Sequence, residues 1–552
     1  MIRQTTLVLS VVFAGACATS APPAEPTPPP PTTTVPTQPP PAATPPEVET
    51  GERGARTNWQ LLDPATDRVP GIAVERAYRE VLAGKQPRRT VVVAVIDGGV
   101  DTAQVDLRPN LWVNPRETAG NGRDDDNNGY VDDVYGWNFI GGPDGRNVHY
   151  DTYEVTRLYA QCRGGAASVA GVSCDSITRD FENERREAQD LKERVNQIAP
   201  VFERSKQILK EALRSDTITR ERLRTLGPVS PQVQQARMIY EQLDDAGITS
   251  EVIQETLEEL DSRLEYKLNP DFDPRPIVGD NPNDLNQRHY GNRDVTGPDA
   301  SHGTHVAGII GAVRGNNVGI DGVAPAVKLM SVRAVPDGDE RDKDVANAVR
   351  YAVDNGAHII NMSFGKAYSP HKAIVDEAMK YADSKGVLLI HAAGNDAANL
   401  DKTNSYPTPV VNGNQRIRNW ITVGASSWRG GDTIAASFSN YGRTEVDVFA
   451  PGEDILSTMP DNEFERSSGT SMAAPVVSGL AALIMAYYPE LSAADVKRAI
   501  LETSMRLGDR TAIVPGSEGE QRAPFSTMSA TGGIVNAVAA LQMAEQIAAS
   551  KR

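Results

Sequence analysis

Residues 90–100 read TVVVAVIDGGV, an unbroken apolar run followed by an aspartate and two glycines. A strand that is apolar at every position buries both of its faces, as strands do in a parallel sheet covered by helices. The stretch therefore predicts a central strand of an α/β protein. It also predicts that Asp97 lies at the carboxyl edge of the sheet, where reactive groups collect.

Strands and helices alternate on both sides of this stretch. A helix is predicted before it, in VERAYREVLAG, and the alternation resumes after residue 302. The later segments are helix GTHVAGIIGAV, strand KLMSVRAV, helix KDVANAVRYAVDNG, strand HIINMSF, helix HKAIVDEAMKYADSKG, strands VLLIHAAG, WITVGASS and EVDVFAPG, helix SSGTSMAAPVVSGLAALIMAYY, and a helix over about 493–502. This alternation predicts an α/β fold of three layers, with a mostly parallel central sheet and helices on both faces.

The composition of the 552-residue chain is that of a soluble globular protein, with 39% apolar and 23% charged residues. The formal net charge is −17, and the isoelectric point is near 5.0. A protein this acidic is unsuited to bind nucleic acid or an anionic membrane surface through its charge.

The first 17 residues, MIRQTTLVLSVVFAGAC, have the pattern of a secretory signal peptide. An early arginine precedes an apolar run from Leu7 to Ala16 that is too short to span a bilayer. The run stops at Cys17 and resembles the lipobox of bacterial lipoproteins, in which the cysteine is lipidated, although Ala14 stands where leucine is usual. Ordinary cleavage of a secretory signal is the alternative. Residues 18–50 are rich in Pro and Thr and predict an extended, disordered tether.

The remaining two cysteines, Cys162 and Cys174, lie 12 residues apart in a chain that is predicted to be exported. Because an oxidising compartment favours disulfides, a bond between them is predicted. Two unpaired buried thiols are the alternative.

One region, residues 150–290, interrupts the alternation and is predicted to be a helical insertion in the domain formed by residues 51–548. Residues about 178–269 are charged, with apolar positions near heptad spacing, so we expect an antiparallel helical hairpin or small bundle, kinked or interrupted at Pro200. It is either a self-packed decoration or a lid or partner-docking arm. The apolar positions are Phe181, Ala188, Leu191, Val195, Ile198, Phe202, Leu209 and Leu213, then Val252, Ile253, Leu257, Leu260 and Leu264.

Three short motifs place reactive side chains at the ends of predicted elements. Asp97 ends a strand, His302 in DASHGTHVAG begins a helix, and Ser471 in SGTSMAAP begins the most apolar helix. In an open parallel sheet, the carboxyl ends of strands and the amino ends of helices meet at one edge. A carboxylate, an imidazole and a hydroxyl brought together there can perform acyl transfer, and the chain order Asp, His, Ser is that of subtilisin.

The segments IDGGVD, HGTHVAG, NMSFG, AAGND and GTSMAAP resemble the signature segments of the subtilisin-like (subtilase) family of serine endopeptidases. They follow the family's order over residues about 91–480, and the layout as a whole is similar to lipoprotein-type bacterial subtilases. The resemblance implies a subtilisin-like fold with a catalytic triad of Asp97, His302 and Ser471. It also implies an oxyanion hole formed by the N–H of Ser471 and the side-chain amide of Asn395.

The same resemblance implies that a peptide substrate binds as an extra strand between two backbone segments that also wall the specificity pocket. Asp396, next to the asparagine, is interpreted as lying at the rim of this pocket, where it would favour a basic or polar residue; simple exposure is the alternative. Asp101 and His305 are interpreted as structural. The two segments are Ser363, Phe364 and Gly365, and Ala392, Ala393 and Gly394.

The loop NGRDDDNNGYVDDVYGWNF, residues 121–139, predicts a structural Ca²⁺ site. Its spacing follows the first half of a calcium loop, but Tyr135 stands where an EF-hand has its bidentate glutamate. A shorter calcium loop is therefore predicted, and a solvated acidic turn is the alternative. The predicted ligands are Asp124, Asp126, Asn128, the carbonyl of Tyr130, and Asp132 or Asp133.

Together these features predict a serine endopeptidase that acts on polypeptides without a cofactor for catalysis and without an obligate protein partner. It is expected to be exported to the bacterial cell envelope and anchored there by lipid, or otherwise secreted. Few residues separate the tether from Asp97, so no inhibitory prodomain is expected and the protein is expected to fold unaided. One alternative is a catalytically silent scaffold with the same fold. Another is a carboxyl-type serine peptidase, against which His302 and Asn395 both argue.

Overall fold

The computed structural model of the protein describes residues 54–411, 413–517 and 519–551. The predicted signal peptide with Cys17 and the Pro/Thr-rich tether lie outside the described residues. The described α-helices are α1 Val74–Glu80, α2 Glu154–Cys162, α3 Cys174–Leu213, α4 Arg220–Thr225, α5 Pro231–Asp245, α6 Ser250–Ser262, α7 Ser301–Gly311, α8 Asp342–Asp354, α9 Lys372–Ser384, α10 Thr470–Tyr487, α11 Ala493–Glu502 and α12 Ala537–Ser550.

The β-structure of the described residues consists of one large sheet and four short hairpins. Its strands are β1 Val91–Asp97, β2 Gly136–Asn138, β3 Ser168–Val169, β4 Val172–Ser173, β5 Val327–Arg333, β6 Ile359–Met362, β7 Leu388–Ala392, β8 Val410–Val411, β9 Gln415–Arg416, β10 Trp420–Ser426, β11 Val448–Pro451, β12 Ile455–Thr458, β13 Phe464–Ser467, β14 Met505–Arg506, β15 Thr511–Ile513, β16 Arg522–Pro524 and β17 Gly533–Ile534.

The large sheet has nine strands in the order β14-β17-β11-β10-β7-β6-β1-β5-β2. Every neighbouring pair is parallel except β14 with β17 at one edge. The hairpins are β3-β4, β8-β9, β12-β13 and β15-β16. The prediction of a mostly parallel central sheet is confirmed.

Strand β1 lies inside this sheet and divides its side chains between two cores. Val91, Val93 and Val95 belong to the core formed with α1, α7, α10, α11 and α12. Ala94 and Ile96, on the opposite face, belong to the core formed with α8 and α9. Alternate residues of a strand point to opposite faces, so an all-apolar strand is explained by helices on both sides. The three-layer architecture is therefore confirmed.

Helix α10 runs through the first of these cores with all of its 18 residues buried. Among the described helices, it alone is long and apolar enough to cross a membrane by length and composition. Its complete burial inside the fold accounts for that composition, because a helix that is apolar all round belongs in a core.

The insertion forms a long helical arm made of α2 to α6. Its first limb is α3, which buries Phe181, Ala188, Val195, Phe202 and Leu209 at intervals of seven residues. The second limb is α5 followed by α6, and both pack against α3. The start of α6 bonds to the C-terminal half of α3, and its end reaches Glu184 through Arg263 at 3.6 Å, so α6 runs antiparallel to α3.

Helix α3 continues without a break across Pro200. The expectation of an interruption at this residue is therefore wrong. Pro200 and Asn196, four residues earlier, both lie on the exposed face of the helix. The carbonyl of Asn196, which loses its helical partner at a proline, can be hydrated there, while the opposite face keeps its packing.

A disulfide joins Cys162, the last residue of α2, to Cys174, the first residue of α3, with a Cα–Cα distance of 5.6 Å. The β3-β4 hairpin lies between the two cysteines. The bond therefore closes the turn at the base of the arm, where α2 leaves the core and α3 begins.

Candidate active site

Asp97 and His302 form a hydrogen-bonded pair at the carboxyl edge of the sheet. Asp97 is the last residue of β1, and His302 is the second residue of α7. His302 Nδ1 lies 2.6 Å from Asp97 Oδ1, which also accepts a hydrogen bond of 2.7 Å from the N–H of Gly98. Because Nδ1–H donates to the carboxylate, the other ring nitrogen, Nε2, is left as a proton acceptor.

Glycine at position 303 allows α7 to approach β1 this closely. A Cβ atom on Gly303 would lie 2.1 Å from the carbonyl oxygen of Gly99 and 3.2 Å from the Cβ of Asp97. Any other residue would push the helix, and His302 with it, away from the aspartate.

Ser471 is the second residue of α10, and α10 packs against α7. Its hydroxyl donates a hydrogen bond of 3.1 Å to the carbonyl oxygen of Ser363. His302 Nε2 is buried and has no hydrogen-bond partner among the described residues. The structure thus joins the aspartate to the histidine and packs the serine's helix beside them. The bond between serine and histidine is not made.

Two hydrogen-bond donors remain free beside Ser471. Asn395 Oδ1 accepts from the N–H of Thr470 at 2.8 Å and from its hydroxyl at 3.0 Å. These bonds fix the amide plane, and neither Asn395 Nδ2 nor the N–H of Ser471 has an acceptor among the described residues. The amino end of α10 adds a partial positive charge. An oxyanion formed at Ser471 could therefore be stabilised here.

A chain of buried hydrogen bonds holds Ser471 from behind. Ser478 Oγ donates to Asn361 Oδ1 at 2.7 Å, and Asn361 Nδ2 donates to Ser363 Oγ at 2.9 Å. Ser363 Oγ in turn donates to the carbonyl oxygen of Ser471 at 2.9 Å. Sequence analysis missed Asn361 and Ser478. The available signal was a single polar residue in each of two otherwise apolar elements, β6 and the middle of α10.

Strands β6 and β7 stop pairing after Met362 and His391. Beyond this point the backbone N–H groups of Ser363, Phe364 and Gly365 have no acceptor among the described residues. This segment can therefore still pair with an extended chain.

The opposite wall, Ala392 to Gly394, already uses its backbone. Ala393 N–H donates to Val423, and the carbonyls of Ala393 and Gly394 accept from Asn440. Gly394 N–H donates to the Thr470 hydroxyl at 3.0 Å. Gly394 has a φ of 102°, and a Cβ there would lie 2.4 Å from Asn440 Nδ2, so only glycine fits. Of the two predicted substrate segments, Ser363 to Gly365 has free backbone N–H groups for a substrate, whereas Ala392 to Gly394 can contact it only sterically.

The neighbouring ionisable residues bond to groups outside the predicted triad. His305 is buried, and its Nε2 bonds to the carbonyls of Ile455 and Glu465, each at 3.1 Å. Burial lowers the pKa of His305 to about 4, so the ring is neutral at pH 7. Asp101 accepts from the N–H groups of Ala103 and Asp461. Asp396 is exposed and bonds to Asn440 through its N–H at 3.0 Å.

The acidic loop gathers only part of its predicted ligand set. Asp124 and Asp126 each place a carboxylate oxygen within 4.8 Å of the other and of Glu117, a residue that sequence analysis missed. Glu117 Oε2 is buried and has no partner among the described residues. Since carboxylates at such distances suit a divalent cation, these three residues fit one. Glu117 lies outside the calcium-loop spacing, so no sequence signal pointed to it.

The side chains of the other predicted calcium ligands, Asn128, Asp132 and Asp133, are engaged in hydrogen bonds. Asn128 Oδ1 accepts from the N–H of Tyr130 at 2.8 Å, and Asp132 accepts from the N–H groups of Gly120 to Gly122. Asp133 is buried and accepts from the Tyr351 hydroxyl at 2.6 Å. Burial raises the pKa of Asp133 to about 6. The structure does not bring the carboxylates of Asp132 and Asp133 into the cluster of Glu117, Asp124 and Asp126.

A parallel three-layer fold with aspartate, histidine and serine collected at one sheet edge is the architecture of the subtilisin-like class of proteins. The chain belongs to the subtilase family, because residues 88–525 match the sequence model of that family. The predicted family is thereby confirmed.

Two curated relatives illustrate the similarity. The chain is 40% identical over 226 residues to a thermophilic serine proteinase from Bacillus sp. (strain AK1), which covers 41% of this chain and 50% of that protein. It is 37% identical over 208 residues to subtilisin BL from Lederbergia lenta, covering 38% of this chain and 71% of the relative. The chain thus spans about half the length of the first relative.

Among solved structures, the chain is similar to one from the subtilase cytotoxin SubAB assembly. The sequence identity is 26% and the TM-score is 0.37, over 45% of this chain and 78% of the other. A second similarity is to the prenylagaramide maturation protease PagA, with 27% identity and a TM-score of 0.36, over 44% of this chain and 82% of the other.

Proposed function

We propose that this protein is a serine endopeptidase in which Asp97, His302 and Ser471 form the catalytic triad. The observation that carries the proposal is the 2.6 Å bond between Asp97 and His302 Nδ1 beside a serine at a helix amino end. Subtilase family membership and the similarity to serine proteinases support it.

The first chemical step requires the Ser471 hydroxyl to exchange its hydrogen-bond partner. Ser471 Oγ leaves the carbonyl of Ser363 and turns toward His302 Nε2, which has no other partner among the described residues. The imidazole takes the hydroxyl proton while Oγ bonds to the substrate carbonyl carbon. Asp97 orients the ring and stabilises the imidazolium that forms.

The negative charge of the tetrahedral intermediate then develops on the former carbonyl oxygen. The N–H of Ser471 and Asn395 Nδ2, both without acceptors in the described structure, stabilise it. As the intermediate collapses to an acyl-enzyme, His302 returns its proton to the leaving amine. Water then repeats the sequence and releases the acyl group.

The substrate class is an extended polypeptide. The free N–H groups of Ser363 and Gly365, which face the same edge, support binding of the peptide backbone as an added strand, which gives affinity without reading the sequence. The segment Ala392 to Gly394, as a wall of the specificity pocket, limits the size of the substrate side chain that binds beside it.

Covalent labelling tests this function directly. A fluorophosphonate probe should label Ser471 in the folded protein, and Ser471→Ala should abolish both labelling and cleavage of a peptide library. Folded protein that reacts with neither probe nor peptides would contradict the proposal and favour the alternative, a catalytically silent scaffold. The intact set of Asp97, His302, Ser471 and Asn395 argues against that alternative.

We also propose export to the bacterial cell envelope with lipid attachment at Cys17. The signal-like residues 1–17 support this, as does the disulfide between Cys162 and Cys174, which suits an oxidising compartment. In the producing cell, Cys17→Ser should abolish labelling by radioactive palmitate and shift the protein from the membrane to the soluble fraction. Unchanged fractionation without palmitate incorporation would contradict lipid anchoring.

Structural Ca²⁺ binding stays a prediction, now centred on Glu117, Asp124 and Asp126. Bound there, a cation would neutralise three clustered carboxylates and stiffen the loop before β2. It would take no part in the chemistry of Ser471.

A further inference from the structure

Gly365 presents an open backbone edge toward the nucleophile. Lys366 exchanges two hydrogen bonds with Tyr406, of 3.0 and 2.8 Å. Adjacent residues of an extended chain direct their backbone polar groups to opposite edges, so those of Gly365 point away from Tyr406. That other edge is the one on which the carbonyl of Ser363 accepts from Ser471. The placement of Lys366 therefore determines where this edge lies.

The side chain of Lys366 is buried and saturated with anionic and carbonyl partners. Its Nζ bonds to Glu154 Oε2 at 2.7 Å, to the carbonyl of Glu340 at 2.8 Å and to Asp342 Oδ1 at 2.8 Å. Three partners use all three ammonium hydrogens. Burial by itself would lower the pKa of Lys366, but the charges of Glu154 and Asp342 outweigh it and hold that pKa above its ordinary value.

Glu154 belongs to the helical arm. It is the first residue of α2, is buried, and also pairs with Arg157 Nη2 at 2.8 Å. Its backbone N–H donates to Asp339 at 2.8 Å. A second link follows two residues after Lys366, where the Tyr368 hydroxyl donates to Asp180 of α3 at 2.5 Å and its ring packs against the core of the arm. The arm therefore holds the segment that follows the substrate edge at two points.

We propose that the base of the helical arm positions the substrate-binding edge, with Lys366 and Glu154 as the positioning residues. The proposal rests on the proposed endopeptidase function and extends it. The arm is then a structural part of the peptide-binding cleft, neither a separate decoration nor a detached lid. Loosening the pair should displace Gly365 relative to a bound peptide, while Ser363 stays in place with the nucleophile because Asn361 and Ser471 bond to it.

The test compares two substrates that depend differently on this edge. A fluorophosphonate needs only the reactive serine and its oxyanion donors, whereas an eight-residue internally quenched peptide from the library also needs the edge. Glu154→Gln/Lys366→Met removes both charges of the pair, while Asp342 keeps its hydrogen bonds from Ser369 and His371 and Arg157 keeps Asp151 at 3.5 Å. We expect KM for the peptide to rise roughly five- to tenfold, as for one or two misplaced backbone hydrogen bonds, with the labelling rate changed less than about twofold.

A matched control lies one residue from Asp342. Lys343 and Asp280 form a similarly buried pair at 2.6 Å, and Asp280 keeps a second partner in Arg275, as Glu154 does in Arg157. Asp280→Asn/Lys343→Met should leave both KM and the labelling rate unchanged. If the first double variant does not fold, Tyr368→Phe removes only the bond to Asp180 and should raise KM about twofold.

The outcomes separate the inference from the function it extends. A rise in KM with labelling preserved supports the inference. Equal loss of both activities, or loss of neither, overturns it, because the pair then acts on the whole fold or on nothing in the cleft. If the unmodified protein is not labelled at all, the endopeptidase function fails, and the positioning role fails with it.

Discussion

The amide of Asn395 is oriented by Thr470, and its nitrogen has no acceptor among the described residues. Removal of such a donor takes away stabilisation that exists only in the transition state. Asn395→Ala should therefore lower kcat about 10²–10³-fold with little change in KM. Asn404→Ala, at an exposed asparagine, is the control and should behave as the parent does. A parallel rise in KM, with kcat unchanged, would show that Asn395 binds substrate instead.

Asn361 connects Ser478 to Ser363 and, through it, to Ser471. Asn361→Ala leaves the buried Ser478 hydroxyl without its acceptor and the Ser363 hydroxyl without its donor, so the free energy of unfolding should fall by about 1–3 kcal/mol. We also expect kcat to fall roughly tenfold, because misalignment of Ser471 should raise the activation free energy by about 1.4 kcal/mol. Urea unfolding and steady-state kinetics measure the two effects.

Ser331 provides the control for this prediction. It is a buried serine of β5 whose hydroxyl donates to the carbonyl of Val295 at 3.1 Å, away from Ser471. Ser331→Ala should cost similar stability and no activity. If Asn361→Ala and Ser331→Ala both lose activity in proportion to their loss of stability, Asn361 does not position Ser471.

At the scale of elements, helix α3 carries a proline on its exposed face. Pro200→Ala restores a backbone hydrogen bond and removes the steric clash, which together cost up to about 3 kcal/mol in a helix interior. Amides of α3 around residue 200 should therefore exchange with deuterium more slowly. Gln197→Ala, also at an exposed position, is the control and should change the exchange rates little. Equal exchange rates in the two variants would mean that the exchange of α3 depends on its packing and not on Pro200.

The acidic loop is a second element whose behaviour can be measured. If Glu117, Asp124 and Asp126 bind Ca²⁺, the melting temperature should rise with added Ca²⁺ and fall on chelation, since a ligand that binds only the folded state stabilises it. Glu117→Gln/Asp124→Asn should be insensitive to both treatments. A parent protein whose melting temperature ignores Ca²⁺ and chelator would contradict the calcium prediction.

At the scale of the whole molecule, two buried neutral histidines should each lower the free energy of unfolding in acid, whereas a buried carboxyl with a raised pKa, such as Asp133, acts in the opposite direction. Burial lowers the pKa of His391 to about 4 and that of His305 to about 4. The folded-state pKa lies below the unfolded value of about 6.5, so the stabilisation is complete above that value and is lost as pH falls through 4. Between pH 7 and pH 5 each histidine should cost about 2 kcal/mol of unfolding free energy.

Urea unfolding at the two pH values tests this. His391→Gln keeps a side-chain N–H that can donate to the carbonyl of Phe364, as His391 Nε2 does at 2.9 Å, but it cannot titrate. The variant should lose less stability than the parent between pH 7 and pH 5. An identical pH slope would mean that His391 does not contribute to acid sensitivity.

Local features of the sequence were enough to predict the sheet, the helices and the edge at which the reactive residues lie. Periodicity is a property of each segment alone, and chain direction places strand ends and helix starts on one side. The heptad spacing of Phe181, Ala188, Val195 and Phe202 likewise predicted the buried face of the arm. These inferences require no knowledge of distant contacts.

The sequence by itself thus determined the fold class, the family resemblance and the elements that carry Asp97, His302, Ser471 and Asn395. Only the tertiary structure decided that the Ser471 hydroxyl bonds to Ser363, that Glu117 joins the acidic cluster, and that Lys366 pairs with Glu154, 212 residues away. The physical reason is that a side-chain hydrogen bond between distant segments depends on packing geometry of a few tenths of an ångström, which leaves no periodic trace in the chain.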